Sequence, residues 1–330
     1  MDSMHSIEVS DLHKNFGSLA AVDGVSFEVA EGEVFGFLGP NGAGKTTTIN
    51  ILCTLLRPTS GHARVAGFDV ERQRNAVRQS IGLVFQDPSL DDQLTAIENL
   101  RFHSYVYNVP GSERSSRIEE VLRVVELWDR RNTVVKTFSG GMKRRLEIAR
   151  GLIHRPRVLF LDEPTLGLDP QTREHMWTYI LQLQRAHGIT IFMTTHYMEE
   201  AEHCGRIAII DQGKIQALDT PDALKRMVGA DIVTLRTPDN ETAAVEIREK
   251  YGLHPLSEDG RLRLEVPDGA EFIPKVVCEL AVPVESVDLH RPTLDDVFLK
   301  LTGHVIRESE ADPLADLRMQ GRLWGGGGRR

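Results

Sequence analysis

One stretch of eight residues constrains this chain more than any other. Residues 39–46 run Gly-Pro-Asn-Gly-Ala-Gly-Lys-Thr, which fits the Walker A pattern of a phosphate-binding loop. A short apolar run at 33–38 precedes the loop, and residues 47–52 continue as the opening of a helix. The glycines allow the backbone to curl so that successive N–H groups face one concavity. This strand–loop–helix pattern predicts a nucleotide site.

The side chains that close the loop suit a triphosphate. Lys45 adds a full positive charge to the partial charge of a helix N-terminus. Thr46 can offer its hydroxyl to the Mg²⁺ that accompanies the phosphates. An ordinary glycine-rich turn is the alternative, and the correct flanks on both sides argue against it. The predicted nucleotide-binding residues here are Gly39, Pro40, Asn41, Gly42, Ala43, Gly44, Lys45, Thr46 and Thr47.

Length, charge and cysteine content narrow the class of protein. A chain of 330 residues favours about two domains, and it contains no apolar run near the length of a membrane span or a signal peptide. The cysteines, Cys53, Cys204 and Cys278, lack metal-ligand spacing, and we predict buried thiols in a reducing compartment. The net charge is −9, and residues 229–303 carry 15 acidic and 8 basic side chains. No basic face is indicated, so nucleic acid is not an expected partner.

The pattern of apolar residues divides the chain into parts. Residues 1–228 contain the loop, alternating strands before it at 5–35, and a helical subdomain at about 87–155. The apolar run at 157–161 indicates a central parallel strand, followed by a helix near 173–187 and strands at 190–194 and 207–211.

Beyond this part, residues 229–303 predict a small separate α/β domain, and residues 304–330, ending in four glycines and two arginines, predict a disordered tail. The last helix of the predicted α/β domain, 293–301, has one apolar face formed by Leu294, Val297, Phe298 and Leu301. That face packs either on the domain's own strands or against the larger part of the chain or a second subunit.

Two carboxylates follow the run at 157–161. Asp162 stands where a Walker B aspartate would hold Mg²⁺, and Glu163 is placed to orient or deprotonate an attacking water. Two solvated acids at a strand end are the alternative, which the phosphate loop makes less attractive.

A second anion-binding end is indicated by Ser139, Gly140 and Gly141, which precede a basic helix. One chain hardly needs two such sites pointing apart, so this end would serve the nucleotide of a partner. A plain helix cap is the alternative.

Taken together, these residues resemble the ATP-binding subunit of an ABC transporter over about residues 5–228. The run Phe138-Ser139-Gly140-Gly141-Met142 resembles the signature motif, and Gln86 the Q-loop. Leu166-Gly167-Leu168-Asp169 resembles the D-loop, His196 the switch histidine, and Phe16 the aromatic residue that stacks on adenine. Phe138, Met142 and Phe16 replace the usual Leu, Gln and Tyr. Met142, the run 167–173 and the run 292–298 resemble the daunorubicin-resistance type of drug-export ATPase, which also carries a small C-terminal domain.

The resemblance implies a P-loop NTPase fold, with a RecA-like α/β core, an antiparallel β subdomain and an inserted helical subdomain. It implies an ATPase that uses ATP and Mg²⁺ and works as a head-to-tail homodimer bound to an integral membrane permease at the cytoplasmic face of the membrane. Lys45, Glu163 and His196 would be catalytic. Thr46, Gln86 and Asp162 would hold the metal, and Phe16, Gln86, Ser139, Gly140, Gly141 and Asp169 would contact ATP. The implied function is efflux of a drug, antibiotic or lipid-like compound; a soluble ABC ATPase or an ATP-gated module without transport is the alternative.

Overall fold

The computed structural model describes residues 5–85, 89–258 and 260–303. The strands are β1 (His5–Phe16), β2 (Leu19–Ala30), β3 (Val34–Leu38), β4 (Ser60–Val65), β5 (Phe68–Asp69), β6 (Ile81–Val84), β7 (Val158–Asp162), β8 (Thr190–Thr195), β9 (Arg206–Asp211), β10 (Lys214–Asp219), β11 (Asp231–Arg236), β12 (Leu256–Glu258), β13 (Arg261–Val266) and β14 (Ser286–His290). The α-helices are α1 (Lys45–Leu52), α2 (Arg74–Ser80), α3 (Ala96–Val106), α4 (Arg114–Val124), α5 (Gly140–Leu152), α6 (Pro170–His187), α7 (Met198–Ala201), α8 (Pro221–Val228), α9 (Asn240–Tyr251), α10 (Gly269–Glu279) and α11 (Leu294–Thr302).

A six-stranded sheet organises the larger part of the chain. Its order is β10-β9-β3-β8-β7-β6, in which β10 is an antiparallel edge and the other strands are parallel. Every residue of β3, β7 and β8 is buried, as continuous apolar runs predict for strands covered on both faces. Because parallel strands end at the same edge, the loop after β3, the carboxylates at the end of β7 and the residues after β8 meet there.

A second, antiparallel sheet with the order β2-β1-β4-β5 packs beside the first. The predicted strands at 5–35 are therefore confirmed. Phe27 of β2 lies 5.4–5.8 Å, centroid to centroid, from Phe35, Phe37 and Phe192 of the parallel sheet. This aromatic contact holds the C-terminal half of β2 against the parallel sheet.

The region after β6 is helical, as predicted. It contains α3, α4 and α5 with two short 3₁₀ turns, Trp128–Arg130 and Val135–Thr137. Thr95 begins α3 through a capping box with Glu98, which satisfies two of the first free amides. One apolar stripe of α4 and its C-terminal continuation is buried: Ile118, Val121, Leu122, Val125 and Leu127.

The C-terminal part forms a third sheet with the order β12-β13-β11-β14, all antiparallel, with its own buried cluster under α9 and α10. The helices and strands predicted for residues 229–303 are present, and β12 is a further strand that was not predicted. Helix α11 packs elsewhere: Leu294, Val297 and Phe298 join the core that also buries Leu224 of α8. Of the two predicted positions for this apolar face, the structure has the one against the larger part of the chain.

Three further predictions concern single features. Cys53 and Cys204 are buried as predicted, but Cys278 is exposed on α10. The prediction of a buried thiol is therefore wrong for Cys278. No helix in the described ranges is long and apolar enough to cross a membrane. Gln86 and the predicted disordered tail, 304–330, lie outside the described residues.

Candidate active site

The phosphate-binding loop is pressed between β9 and β2. A Cβ atom on Gly39 would lie 2.3 Å from the carbonyl oxygen of Ile210, and one on Gly44 would lie 2.4 Å from that of Ala21. Gly44 also has φ 106°, a value that L side chains rarely adopt. Both glycines are therefore needed for the loop to turn between its neighbours.

Lys45 begins α1 and is held inside this loop. Its side chain is 4% exposed, and Nζ donates to the carbonyl oxygens of Gly39 at 2.8 Å and Pro40 at 3.1 Å. The same nitrogen lies 3.4 Å from Oε1 of Glu163. Burial lowers the pKa of Lys45, and the negative charge of Glu163 opposes that shift. Lys45 is thus a preorganised cation at the centre of the loop.

Asp162 and Thr46 meet beside the loop. The Thr46 hydroxyl donates to Oδ2 of Asp162 at 3.2 Å, and the Thr194 hydroxyl donates to Oδ1. Burial raises the pKa of Asp162, while the hydrogen bond from Thr194 acts in the opposite direction. The described ranges contain no cluster of three or more His, Cys, Asp or Glu side chains that could hold a metal alone. A carboxylate next to a hydroxyl fits a Mg²⁺ that takes its other ligands from phosphates and water.

Glu163 is the residue on which the charged groups converge. Its Oε1 atom lies 3.2 Å from Nδ1 of His196 and 3.4 Å from Nζ of Lys45. Burial alone would raise the pKa of Glu163, but the close contact with His196 and the charge of Lys45 outweigh it, so the pKa lies below its usual value. Glu163 is therefore ionised and able to accept a proton.

The backbone of Glu163 is unusual. Its φ is 47°, in the left-handed region, which a non-glycine residue occupies at a cost of about 1–2 kcal/mol. The amide of Glu163 donates to both the carbonyl and the hydroxyl oxygen of Thr194, at 3.2 and 3.1 Å. This strained turn directs the Glu163 side chain towards Lys45 and away from the strand.

His196 follows β8 and is braced from behind. Its ring lies 4.2 Å from that of Tyr197, which carries the Arg173 guanidinium 4.0 Å above it. One residue earlier, the Thr195 hydroxyl donates to Glu200 at 2.7 Å. The position of His196 therefore depends on α6 and α7 as well as on the strand.

The signature segment lies on a different surface. Ser139 caps α5 by accepting from the amide of Met142 at 3.3 Å, and both Ser139 and Gly140 are exposed. A Cβ atom on Gly141 would lie 2.6 Å from Cγ2 of Thr172, in the first turn of α6. That helix is capped by Asp169, which accepts from the Thr172 amide at 2.9 Å. Within the described ranges, no hydrogen bond or ion pair joins Ser139 to the phosphate loop.

Phe16 ends β1 and is half-buried, with Nζ of Lys14 5.1 Å from its ring. It pairs across the hairpin with Leu19, near the Ala21 carbonyl that meets Gly44. Its contact with adenine stays a prediction.

Three buried polar residues at this site were not predicted. Thr194 bonds both Asp162 and Glu163, and Arg144 with Glu147 supports the same turn from α5. The sequence did carry a signal for Arg144 and Glu147, because charged residues three apart on a buried helix face require partners.

Comparisons with known proteins show the family to which the chain belongs. The family model for ABC transporters matches residues 22–166. The daunorubicin resistance ATP-binding protein DrrA2 of Streptomyces coeruleorubidus is 41% identical over 94% of this chain and 99% of its own length. The chain belongs to the ATP-binding subunits of the ABC transporters. The linearmycin resistance ATP-binding protein LnrL of Bacillus subtilis is 38% identical over 92% of this ABC ATPase and its own full length.

Solved structures give the same answer. cbiO1 of Clostridium perfringens, part of an ABC transporter complex, has a TM-score of 0.64 and 25% identity, covering 75% of this chain and 96% of its own. A dimeric ATP-binding cassette in a post-hydrolysis state with ADP and Pi has a TM-score of 0.58 and 29% identity, covering 65% of this chain and 98% of its own. The predicted P-loop NTPase fold, ATP binding and ATPase activity are confirmed.

Proposed function

We propose that this ABC ATPase works as a head-to-tail dimer that powers efflux of a drug-like, antibiotic or lipid-like compound through a separate integral membrane permease. The observation that carries the proposal is the division of the motifs between two surfaces. Nζ of Lys45 and Nδ1 of His196 lie 3.4 and 3.2 Å from Oε1 of Glu163. Ser139, in contrast, is exposed at the start of another helix. A second chain can supply the missing signature segment to each site.

Within one site, the chain's own residues supply positioning and charge. Lys45 and the loop amides offset negative charge on the β- and γ-phosphates, which the transition state spreads over the transferring group. Glu163 accepts the proton of the attacking water, and His196 contacts the same carboxylate oxygen as Lys45 does. Thr46, Asp162 and Gln86 are the residues that would hold Mg²⁺, which neutralises phosphate charge when bound.

The dimer completes this site from across an interface. Ser139 and Gly140 are exposed at the N-terminus of α5, and a helix N-terminus is suited to binding a phosphate. The D-loop residue Asp169 lies on the neighbouring turn and is also exposed. The dimeric state of the solved relative with ADP and Pi supports this arrangement.

The exporter role rests on the named relatives and on one surface. The relatives at 38–41% identity are resistance proteins for daunorubicin and linearmycin. The outer face of α3 exposes Phe102, Tyr105 and Val106, each by more than half. An apolar face of this kind on the helical subdomain suits a membrane permease, which would keep the ATPase at the cytoplasmic face of the membrane.

The proposal predicts that a neighbouring reading frame encodes an integral membrane protein, and co-expression of the two chains tests it. Cells carrying both chains should accumulate less daunorubicin, measured by its fluorescence, than cells in which this chain carries Lys45→Ala. Arg145→Lys, a change at a partly buried position of α5 outside the phosphate loop, serves as the matched control and should export like the original chain. Equal accumulation with and without Lys45, in cells whose purified ATPase is active, would contradict export of daunorubicin-like compounds and leave the ATPase assignment in place.

A further inference from the structure

Arg144 is a buried cation whose guanidinium is bonded mostly to backbone carbonyls. The residue is 8% exposed, in the middle of α5. Its Nε atom donates to the carbonyl oxygen of Pro164 at 2.7 Å. One terminal nitrogen donates to the carbonyls of Asp162 at 3.0 Å and Glu163 at 3.1 Å. Three successive peptides around the catalytic glutamate are therefore held by one side chain.

The other terminal nitrogen connects a second segment. It donates to the carbonyl oxygen of Phe85 and to Glu147, one turn further along α5, at 3.0 Å. Glu147 is 1% exposed, and its other carboxylate oxygen accepts from the amide of Ser89 at 2.7 Å. Phe85 and Ser89 flank residues 86–88. The pair thus joins α5 to both flanks of that segment and to the turn at Glu163.

Stability alone does not account for this pair. Replacing a buried ion pair with apolar residues of similar size is often neutral or stabilising, because both charges are desolvated. What the pair does hold is the carbonyl side of Glu163, the residue with φ 47°. A strained backbone persists only where its surroundings determine it, and here Arg144 and Thr194 bond opposite sides of the same residue.

We propose that Arg144 and Glu147 form a positioning unit that ties the orientation of Glu163 to the position of α5. The proposal rests on the head-to-tail dimer, in which the Ser139 end of α5 meets the partner's nucleotide. Ser139 and Arg144 are separated by about 7 Å along a single helix, so they move together. Nucleotide bound in one site thereby sets the Glu163 of the other site, and the two hydrolysis reactions are coupled.

The test compares Arg144→Lys with Arg145→Lys in the full chain. Lysine keeps the charge but cannot fork between several carbonyls. Arg145, its neighbour, donates to the carbonyl of Val125 and to Glu126 rather than to the turn at Glu163, which makes it the matched control. A displacement of the base by about 1 Å can cost two orders of magnitude in rate. We therefore expect the kcat of Arg144→Lys to fall about tenfold or more, while its KM for ATP changes less than about twofold. The Hill coefficient for ATP should fall from above 1 towards 1.

Arg145→Lys should leave kcat, KM and the Hill coefficient close to the original values. Should Arg144→Lys fail to fold, Glu147→Gln takes its place, because glutamine keeps the size and the acceptor for Ser89 while removing the charge; its kcat should fall about threefold or more. Equal kcat in the Arg144 and Arg145 variants, a Hill coefficient of 1 in the original chain, or a loss of activity explained entirely by the unfolded fraction would each overturn the proposal. An original chain without ATPase activity would contradict the proposed function itself.

Discussion

The Nζ atom of Lys45 lies 3.4 Å from Oε1 of Glu163, and neither side chain is more than 10% exposed. This contact joins the group that receives the phosphates to the group that receives the proton. A γ-phosphate offers Lys45 a competing anion, so binding of ATP weakens its pairing with Glu163. The carboxylate, still contacted by His196 at 3.2 Å, is then free to accept a hydrogen bond from water.

The first prediction concerns that carboxylate. Glu163→Gln keeps the size of the side chain but removes the base, so kcat should fall by about 10² or more while ATP affinity is retained. Single-turnover hydrolysis and nucleotide binding measure the two effects, and the variant should elute as an ATP-bound dimer in size exclusion. Glu174→Gln, at an exposed site on α6, is the control. Turnover of Glu163→Gln similar to that control would remove Glu163 from the role of base.

The second prediction concerns sharing of the site between subunits. Chains with Lys45→Ala and chains with Ser139→Arg should each be inactive, because each lacks one half of every site. Mixed dimers contain one site with both halves damaged and one with both halves intact, so part of the ATPase activity should return on mixing. Verified heterodimers that remain inactive would show that Ser139 does not serve the partner's nucleotide.

Much of this fold was predictable because its strongest signals are local. The glycine pattern at 39–44, the apolar run of β7 and the apolar face of α11 each reflect chemistry within a few residues. The carboxyl ends of parallel strands then bring the loop, Asp162 and His196 to one edge without further information. This is why the convergence of these residues could be stated from the motifs alone.

What could not be predicted depends on contacts between distant segments. The bonds of Arg144 reach residues 18–59 positions away, and no local pattern says which carbonyls they meet. Likewise, the apolar face of α11 was evident in the sequence, but its partner α8 depends on how the chain returns to the larger core. Cys278 was placed wrongly because a cysteine on a short amphipathic helix gives no signal of its side.

The third prediction concerns α11. Phe298 is 1% exposed in the core that also contains Trp177, so Phe298→Ala should lower the free energy of unfolding of the ATPase part by about 3–5 kcal/mol. Leu299, the next residue, is 44% exposed, and Leu299→Ala should change the free energy of unfolding by about 0.5 kcal/mol or less. Urea unfolding followed by tryptophan fluorescence compares the two variants with the original chain. Equal effects of the two changes would contradict the packing of α11 on this core.

The last prediction concerns Glu200, a carboxylate 1% exposed behind the switch histidine. Burial raises its pKa to about 7, against the hydrogen bond from Thr195 and the charge of Arg173, whose Nε lies 3.9 Å away. His196 and Glu163 also act on this carboxyl group, in opposite directions.

Because the folded state holds this proton more tightly than the unfolded state does, stability falls as pH rises from about 4.5 to about 7 and is level above that range. Glu200→Gln removes this loss, so the free energy of unfolding of the variant relative to the original chain should rise between pH 5 and pH 8, by up to roughly 3 kcal/mol. Glu199→Gln, at the exposed neighbouring position, should show no such change with pH. A pH-independent difference between Glu200→Gln and the original chain would mean that Glu200 is ionised in the folded protein throughout this range.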